Sequence, residues 1–252
     1  MQRLFVLFIT LVCVSSCGGT RPPPPAVDYS LAPTSAADAP PAQHQGELPS
    51  ANAAAAVSIR ADIWADNWFA LFVDETLIGE DSVSITTERS FNSEVFTFAA
   101  TYPVHINVIL KDYIQDDTGL EYIGTDRQQI GDGGFIAQFT DTATGSIIAV
   151  TDRSWKCVPI HIAPRDPACA AQAQPIAGEG ACTNTITAEP NGWKSPSFDD
   201  ATWPAATIYT TRDVGPKDGY DAINWDPSAQ FIWGPDLKTN NTVLCRVTIQ
   251  AP

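Results

Sequence analysis

The stretch from Asn191 to Asp226 concentrates the side chains best suited to holding a ligand. Trp193, Tyr220 and Trp225 stand there beside Asn191, Asp218, Asp221, Asn224 and Asp226, in polar segments containing Gly and Pro. An aromatic face packs against C–H groups, while carboxylates and amides hydrogen-bond hydroxyls. The chemistry is that of a polyhydroxylated ligand. Two acidic groupings, Asp112, Asp116, Asp117 and Glu121, or Asp213, Asp218 and Asp221, offer the loop oxygens that a hard cation takes. Neither follows the EF-hand spacing, so no metal ligand is assigned from spacing. Asp66-Asn67 and Asp199-Asp200 precede ordered segments and read as turn caps, where short carboxylates and amides bond nearby backbone N–H groups.

Catalysis needs a nucleophile, a base within its reach and a group that orients the base. The chain offers thin material for that. His105 and His161 each alternate with apolar neighbours and read as strand histidines, and His44 reads as a solvated linker residue. No Gly-x-Ser-x-Gly elbow, HExxH, P-loop or GxGxxG is present. Gly131-Asp132-Gly133-Gly134 lacks the lysine and following helix that phosphate cradling requires. The chain therefore reads as a protein that is not an enzyme.

Charge narrows the partners further. Of 252 residues, 14 are Lys or Arg and 29 are Asp or Glu, a net charge of −15. Nucleic-acid binding calls for a basic stripe that releases counterions, so no nucleic acid is expected. The same field repels anionic headgroups. With 44% hydrophobic residues, among them 7 Trp, 6 Tyr and 11 Phe, the chain has ample material for a packed core.

The elements that must position these residues begin with a targeting segment. Arg3 precedes an apolar run from Leu4 to Val14, and Ser15-Ser16 lead to Cys17. That order is a signal peptide over residues 1–16, the run being shorter than the roughly 20 residues that span a bilayer. Val14-Ser15-Ser16-Cys17 resembles the bacterial lipobox, which implies that Cys17 is the lipidated first residue of the mature chain and that contact with the membrane runs through the anchor only. By the same resemblance, Gly18 after the cysteine implies the outer membrane. Residues 17–56 then form the lipidated cysteine and a linker, with eight of the 20 prolines and an alanine run at Ala53 to Ala56. Such a stretch has no core-forming side chains and is expected to be a disordered Pro/Ala-rich tether.

From Val57 the apolar period becomes two: Phe96 and Phe98; Ile106, Val108 and Leu110; Phe135, Ala137 and Phe139; Val243, Cys245, Val247 and Ile249. These are half-buried strands. Val73-Asp74-Glu75-Thr76 reads as a hairpin turn, and the absence of any long amphipathic pattern predicts one all-β sandwich or barrel over 57–252. Trp155 and Trp203 lie in or beside strand-like runs and are expected to be buried.

Setting aside Cys13 in the signal and Cys17 in the anchor leaves four cysteines, which pair in an oxidising compartment. Three connectivities exist. Cys157–Cys245 with Cys169–Cys182 is favoured, because Cys245 shares the inward face of Val243 and Val247, while the second bridge staples the Pro/Ala/Gly-rich loop of residues 163–182.

Several segments taken in order carry a resemblance: Ala65-Asp66-Asn67-Trp68-Phe69 leading into Val73-Asp74-Glu75-Thr76-Leu77-Ile78-Gly79, then Thr151-Asp152-Arg153-Ser154-Trp155-Lys156, and Ser197-Phe198-Asp199-Asp200-Ala201-Thr202-Trp203. Together they resemble galactose-binding-like jelly-roll β-sandwich domains, with Asp74-Glu75 replacing the usual Asn-Gly of the hairpin. The resemblance implies a lectin-like, non-catalytic module that binds a glycan or surface polymer on its end loops. Trp193, Tyr220, Trp225, Asp218, Asp221 and Asn224 are then the ligand-binding residues. It implies no organic cofactor and allows a structural calcium. The competing expectation is a structural or interaction protein of the cell envelope, in which the same aromatics anchor a protein partner. If Cys17 carries the anchor, Cys17→Ser moves the protein from the membrane to the soluble fraction; retention of the variant on membranes after a high-salt wash overturns that reading.

Overall fold

The computed structural model describes residues 56–87 and 91–252, together with the backbone of 42–46. Residues 1–16, Cys17 and most of the expected tether lie outside the described residues. The described strands are β1 (Ala42–Gly46), β2 (Val57–Asp66), β3 (Trp68–Val73), β4 (Thr76–Glu80), β5 (Phe91–Ala100), β6 (Val104–Lys111), β7 (Leu120–Glu121) and β8 (Gln129–Ile130). They continue with β9 (Gly134–Asp141), β10 (Ile147–Val150), β11 (Lys156–Ile162), β12 (Thr185–Ile186), β13 (Thr207–Tyr209), β14 (Phe231–Trp233) and β15 (Asn240–Ile249). The α-helical content of the described residues is the single turn α1 (Thr211–Val214).

Two sheets result. The first runs β1-β5-β2-β9-β14-β13, with β10 beside β9; the second runs β12-β11-β15-β6-β3-β4. Pairing is antiparallel except between β1 and β5. The protein is an all-β sandwich, as the period of two predicts. One departure falls in the expected tether: Ala42–Gly46 adds a strand alongside β5 and so covers an edge whose backbone groups would otherwise stand open.

The core follows from alternation. Ile59, Ala61, Ile63 and Ala65 of β2 face inward with Phe96, Phe98, Phe135, Ala137 and Phe139, and meet Phe69, Leu71, Ile106, Val108, Leu110 and Val243 from the other sheet. Trp155 fills the space between them. Its ring stacks on Phe139 with centroids 6.2 Å apart and meets Phe135 edge-on, while its indole N–H donates to the Val150 carbonyl at 2.9 Å. That bond satisfies the polar atom of an otherwise apolar side chain, so its burial carries no desolvation penalty.

Local chemistry sets the connections. The β3–β4 turn is the expected two-residue hairpin, with Asp74 at φ 49, a left-handed conformation that aspartate tolerates better than most residues. A more consequential connection joins β2 and β3. One residue, Asn67, separates a strand of the first sheet from a strand of the second. Its N–H donates to the Lys111 carbonyl at 3.1 Å, and its side-chain oxygen accepts the Tyr113 N–H at 2.5 Å, so the end of β6 holds the crossing in place.

Both favoured disulfides are present. Cys157 and Cys245 are direct cross-strand partners of β11 and β15 in the core. Cys169–Cys182 joins two 3-10 turns, Pro167–Ala171 and Gly180–Cys182, and packs with Leu120. The first bridge spans 88 residues and the second 13. In the chain-entropy model, loss of the longer loop costs about 1.5–2 kcal/mol more. Denaturant unfolding of the Cys157→Ala/Cys245→Ala and Cys169→Ala/Cys182→Ala variants is expected to show that order; equal losses contradict it.

Candidate functional site

The six residues singled out for ligand binding divide between two faces. On the outer face of the first sheet, Trp64, Ile136, Val214 and Phe231 form an apolar patch, onto which the 215–229 loop folds. Tyr220 stacks on Phe231 (5.5 Å, 27°) and on Trp225 (5.7 Å, 24°) and meets Trp64 edge-on at 6.1 Å. The indole N–H of Trp64 donates to the Asp218 carbonyl, and that of Trp225 to the Tyr220 carbonyl, both at 3.0 Å. Gln138 ties down the far side of the loop, donating to the Asn224 carbonyl and accepting from the Asp226 N–H. Asp221 and Asn224 are exposed, and Asp218, Tyr220 and Trp225 are half-buried. Five of the six residues therefore share one well-anchored loop.

Trp193 is elsewhere. It is 2% exposed and packs with Trp203 and Leu244 on the outer face of the second sheet, its N–H bonded to Glu189 at 2.9 Å. The expectation of an exposed loop aromatic sharing a platform with Tyr220 and Trp225 is corrected. The reason is the outward side of β15 and its neighbours, where Leu244, Ile109, Val158 and Ile160 form an apolar strip that needs a cover. Trp193 and Trp203 supply it. Arg246 secures the same cover, pairing with Asp200 at 3.2 Å and donating to the Phe198 and Ser195 carbonyls. An open depression of about 340 Å³ between Glu75 and the 189–194 turn borders this cover.

The acidic groupings are rearranged as well. Asp112 and Glu121 do come together, but Asp116 and Asp117 are exposed, and the Asp116 carboxylate accepts the Thr118 N–H. Asp213 is engaged in the capping box of α1 with Thr210, and Asp221 is exposed on the 215–229 loop. The partners that join Asp112 and Glu121 are Asp66, at the end of β2, and Asp132, in the turn entering β9. Asp66, Asp112 and Glu121 are 4%, 1% and 6% exposed. Burial, reinforced by their carboxylate neighbours, holds Asp66 and Asp112 well above the ordinary aspartate range; burial also raises Asp132, against the pull of Lys217 and Lys238. Asp66 had the sequence signature of a turn cap, and Asp132 that of a glycine-rich loop. Neither betrays burial, which comes from the convergence of four connections.

Polar atoms around this cluster are incompletely satisfied. The Tyr113 N–H reaches Asp112 Oδ1 at 2.6 Å, and Glu121 accepts from Gln129 at 2.8 Å. Asp112 Oδ2, Asn67 Nδ2 and Asn241 Oδ1 are buried without a hydrogen-bond partner. Asp112 Oδ2 lies so close to Gly131 that a Cβ there would meet it at 2.2 Å, which demands glycine at that position. Among the described residues, no three His, Cys, Asp or Glu side chains form a ready-made cation cage.

The histidines are placed as strand residues. His105 faces out and its Nδ1 lies 3.1 Å from Asp74. His161 is buried in β11, and burial lowers its pKa. No protein-family model, curated protein or solved structure matches this chain.

A second buried acid lies at the β4–β5 edge. Asp81 is 5% exposed; burial, with Glu94 nearby, pushes its pKa from 3.8 up to about 7. Its folded-state pKa exceeds the unfolded one, so its contribution to stability is complete below the unfolded pKa and is lost as pH rises through the folded value. The share contributed by Asp81 is therefore expected to fall between about pH 4 and pH 7, so that Asp81→Asn gains stability relative to the wild type as pH rises across this range. Urea unfolding of the two proteins checks it; a difference between them that does not change with pH contradicts the assignment.

Proposed function

We propose that the 57–252 sandwich is a non-catalytic carbohydrate-binding domain of the galactose-binding-like, jelly-roll kind. On this reading it is exported behind the 1–16 signal and held at the outer membrane through lipidated Cys17. The observation that carries the ligand assignment is the Tyr220–Trp225 stack on the 215–229 loop, set beside Asp218, Asp221 and Asn224. A sugar ring needs an aromatic face for its C–H side and fixed acceptors and donors for its hydroxyls. Trp225 is the available aromatic, because Tyr220 is engaged by Phe231 and Trp64 as well. Asp221 and Asn224 present exposed side chains on the same loop, and the loop's backbone bonds to Trp64 and Gln138 hold them in place before any ligand arrives. The acidic surface suits neutral or cationic glycans and disfavours sulfated or uronic ones.

Trp193 supports the opposite face instead. It takes no part in the site, and its truncation is a stability defect.

Glycan-array binding of the protein tests the reading. Trp225→Ala is expected to lower the melting temperature less than Trp193→Ala does, since the half-buried ring gives up chiefly its stack on Tyr220, and to weaken binding by about fivefold or more, the equivalent of lost stacking of order 1 kcal/mol. Trp193→Ala is expected to lower the melting temperature without changing the affinity of the folded fraction. An array on which nothing binds, with Trp225→Ala disrupting co-purification of an envelope protein, replaces the carbohydrate reading with the interaction-protein one.

A further inference from the structure

We infer that the depression between the β3–β4 hairpin and the 189–194 turn, walled by Glu75, Glu189, Asn191 and Trp193, is a binding site for a primary alkylammonium group, as borne by a diamine or a lysine side chain. It lies on the outer face of the second sheet, whereas the Tyr220–Trp225 loop covers the first, so the inference is independent of the carbohydrate reading.

Shape and charge are the first support. At about 340 Å³ the depression reaches the range of small-molecule clefts, about 300–1,000 Å³. Its charged groups are the carboxylates of Glu75 and Glu189 and the ammonium of Lys194. Lys194 pairs with Glu189, and among the described residues the exposed Glu75 carboxylate has no ion-pair partner. One negative charge is left over. A single monovalent cation neutralises the site, while an anion there meets two carboxylates.

The second support is a cation already held there. Lys194 Nζ lies 4.4 Å from the centre of the Phe72 ring and 4.9 Å from that of Trp193, inside the roughly 6 Å over which a ring face attracts a cation. Glu189 Oε2 stands 3.8 Å from the same nitrogen and accepts the Trp193 indole N–H at 2.9 Å. Rings and carboxylate together make the lining of an ammonium cage, and the chain's own aminoalkyl side chain fits against it. Between the two walls, fully buried Asn107 donates to the Asp74 and Lys194 carbonyls, each at 3.0 Å, which fixes hairpin and turn to β6. Its donors are spent on those bonds, and its side-chain oxygen has no hydrogen-bond partner. The junction is rich in acceptors and short of donors, the condition that a guest with three N–H donors and no acceptor suits.

The walls also select among cations. A hard divalent ion takes about six or more oxygens, which two carboxylates beside a resident ammonium do not supply. A guanidinium binds best through planar bidentate contacts or stacked on an open aromatic face. Trp193 is 2% exposed and Phe72 already carries Lys194, so neither ring presents such a face. An ammonium needs only point contact with a carboxylate, and its methylene stem covers apolar surface such as that of Pro190.

An NMR chemical-shift titration tests the site. The isotope-labelled full chain, near neutral pH and at low salt so that exposed charges are little screened, is titrated with cadaverine, a five-carbon diamine. Separate arms use Nα-acetyl-lysine methylamide and glutarate, the dianion of the same length. Saturable shifts are expected with cadaverine, concentrated on the backbone amides of Glu75 and of residues 191–194, and none with glutarate. Glu75→Gln and Glu189→Gln, the latter keeping an acceptor for Trp193, are each expected to weaken cadaverine binding about threefold or more. Lys194→Met, which removes the resident ammonium and keeps an apolar stem, is expected to tighten it. Asp126→Asn, in the turn between β7 and β8, is expected to change nothing. Equal affinity for the lysine derivative and the diamine identifies a protein lysine as a sufficient ligand, and a preference for the diamine identifies a free polyamine; both outcomes uphold the site. Absence of saturable shifts overturns the inference, as do shifts spread evenly over the acidic surface. Equal weakening by Glu75→Gln and Asp126→Asn, or a Lys194→Met protein that binds cadaverine more weakly, overturns it too. Failure here leaves the glycan-array result standing, because Trp225 lies over the other sheet.

Discussion

The chain passes from one sheet to the other across a single residue, Asn67, and much of the molecule's polar architecture depends on that crossing. A strand that ends on one layer and resumes on the other within one residue has no surface loop in which to solvate its polar groups. The Asn67 backbone N–H and side-chain oxygen find partners inside, on Lys111 and Tyr113 at the end of β6, while its side-chain Nδ2 is left without one. Asp66 and Asp112 are the neighbours on either side of this junction. They are buried because the junction is buried, and their shifted protonation is a consequence of topology.

A second constraint comes from the outer faces. An antiparallel sheet commonly leaves one side to water, yet both outward faces here carry apolar strips: Trp64, Ile136 and Phe231 on one, Leu244 with Ile109, Val158 and Ile160 on the other. Each strip is closed by a long, strand-poor segment that carries aromatic side chains. The 215–229 loop lies over the first and the 189–203 segment over the second. Covering these strips positions the loops, and positioned loops make preorganised surfaces at little further entropic cost. The hydrogen bond from Trp64 to the Asp218 backbone and the Arg246 bonds to Phe198 and Ser195 fix each cover to the sheet beneath it.

The core's disulfide and its aromatic filling are mutually reinforcing. Cys157–Cys245 joins the two strands that stand opposite the Phe135–Phe139 face, and Trp155, two residues before Cys157, occupies the interior they enclose. The second bridge works on a different scale, closing a short loop that has little apolar material beyond Leu120 and its neighbours.

The sequence by itself determined the all-β class, the inward faces of β6, β9 and β15, the β3–β4 hairpin and the burial of Trp155, because alternation with period two is a local property of a strand; among three disulfide pairings it favoured the observed one, which the structure decided. It also marked the loop that carries Tyr220 and Trp225. Only the tertiary structure decided that Trp193 belongs to a different face from them, since an aromatic in a polar turn looks the same whether it meets solvent or an apolar strip built from distant strands. Likewise Asp66 and Asp132 carry turn-like local patterns, and Asp112 and Glu121 were grouped with Asp116 and Asp117 by proximity along the chain. Which carboxylates share a buried volume is set by where strands of different sheets end, and that is a long-range property no short spacing records.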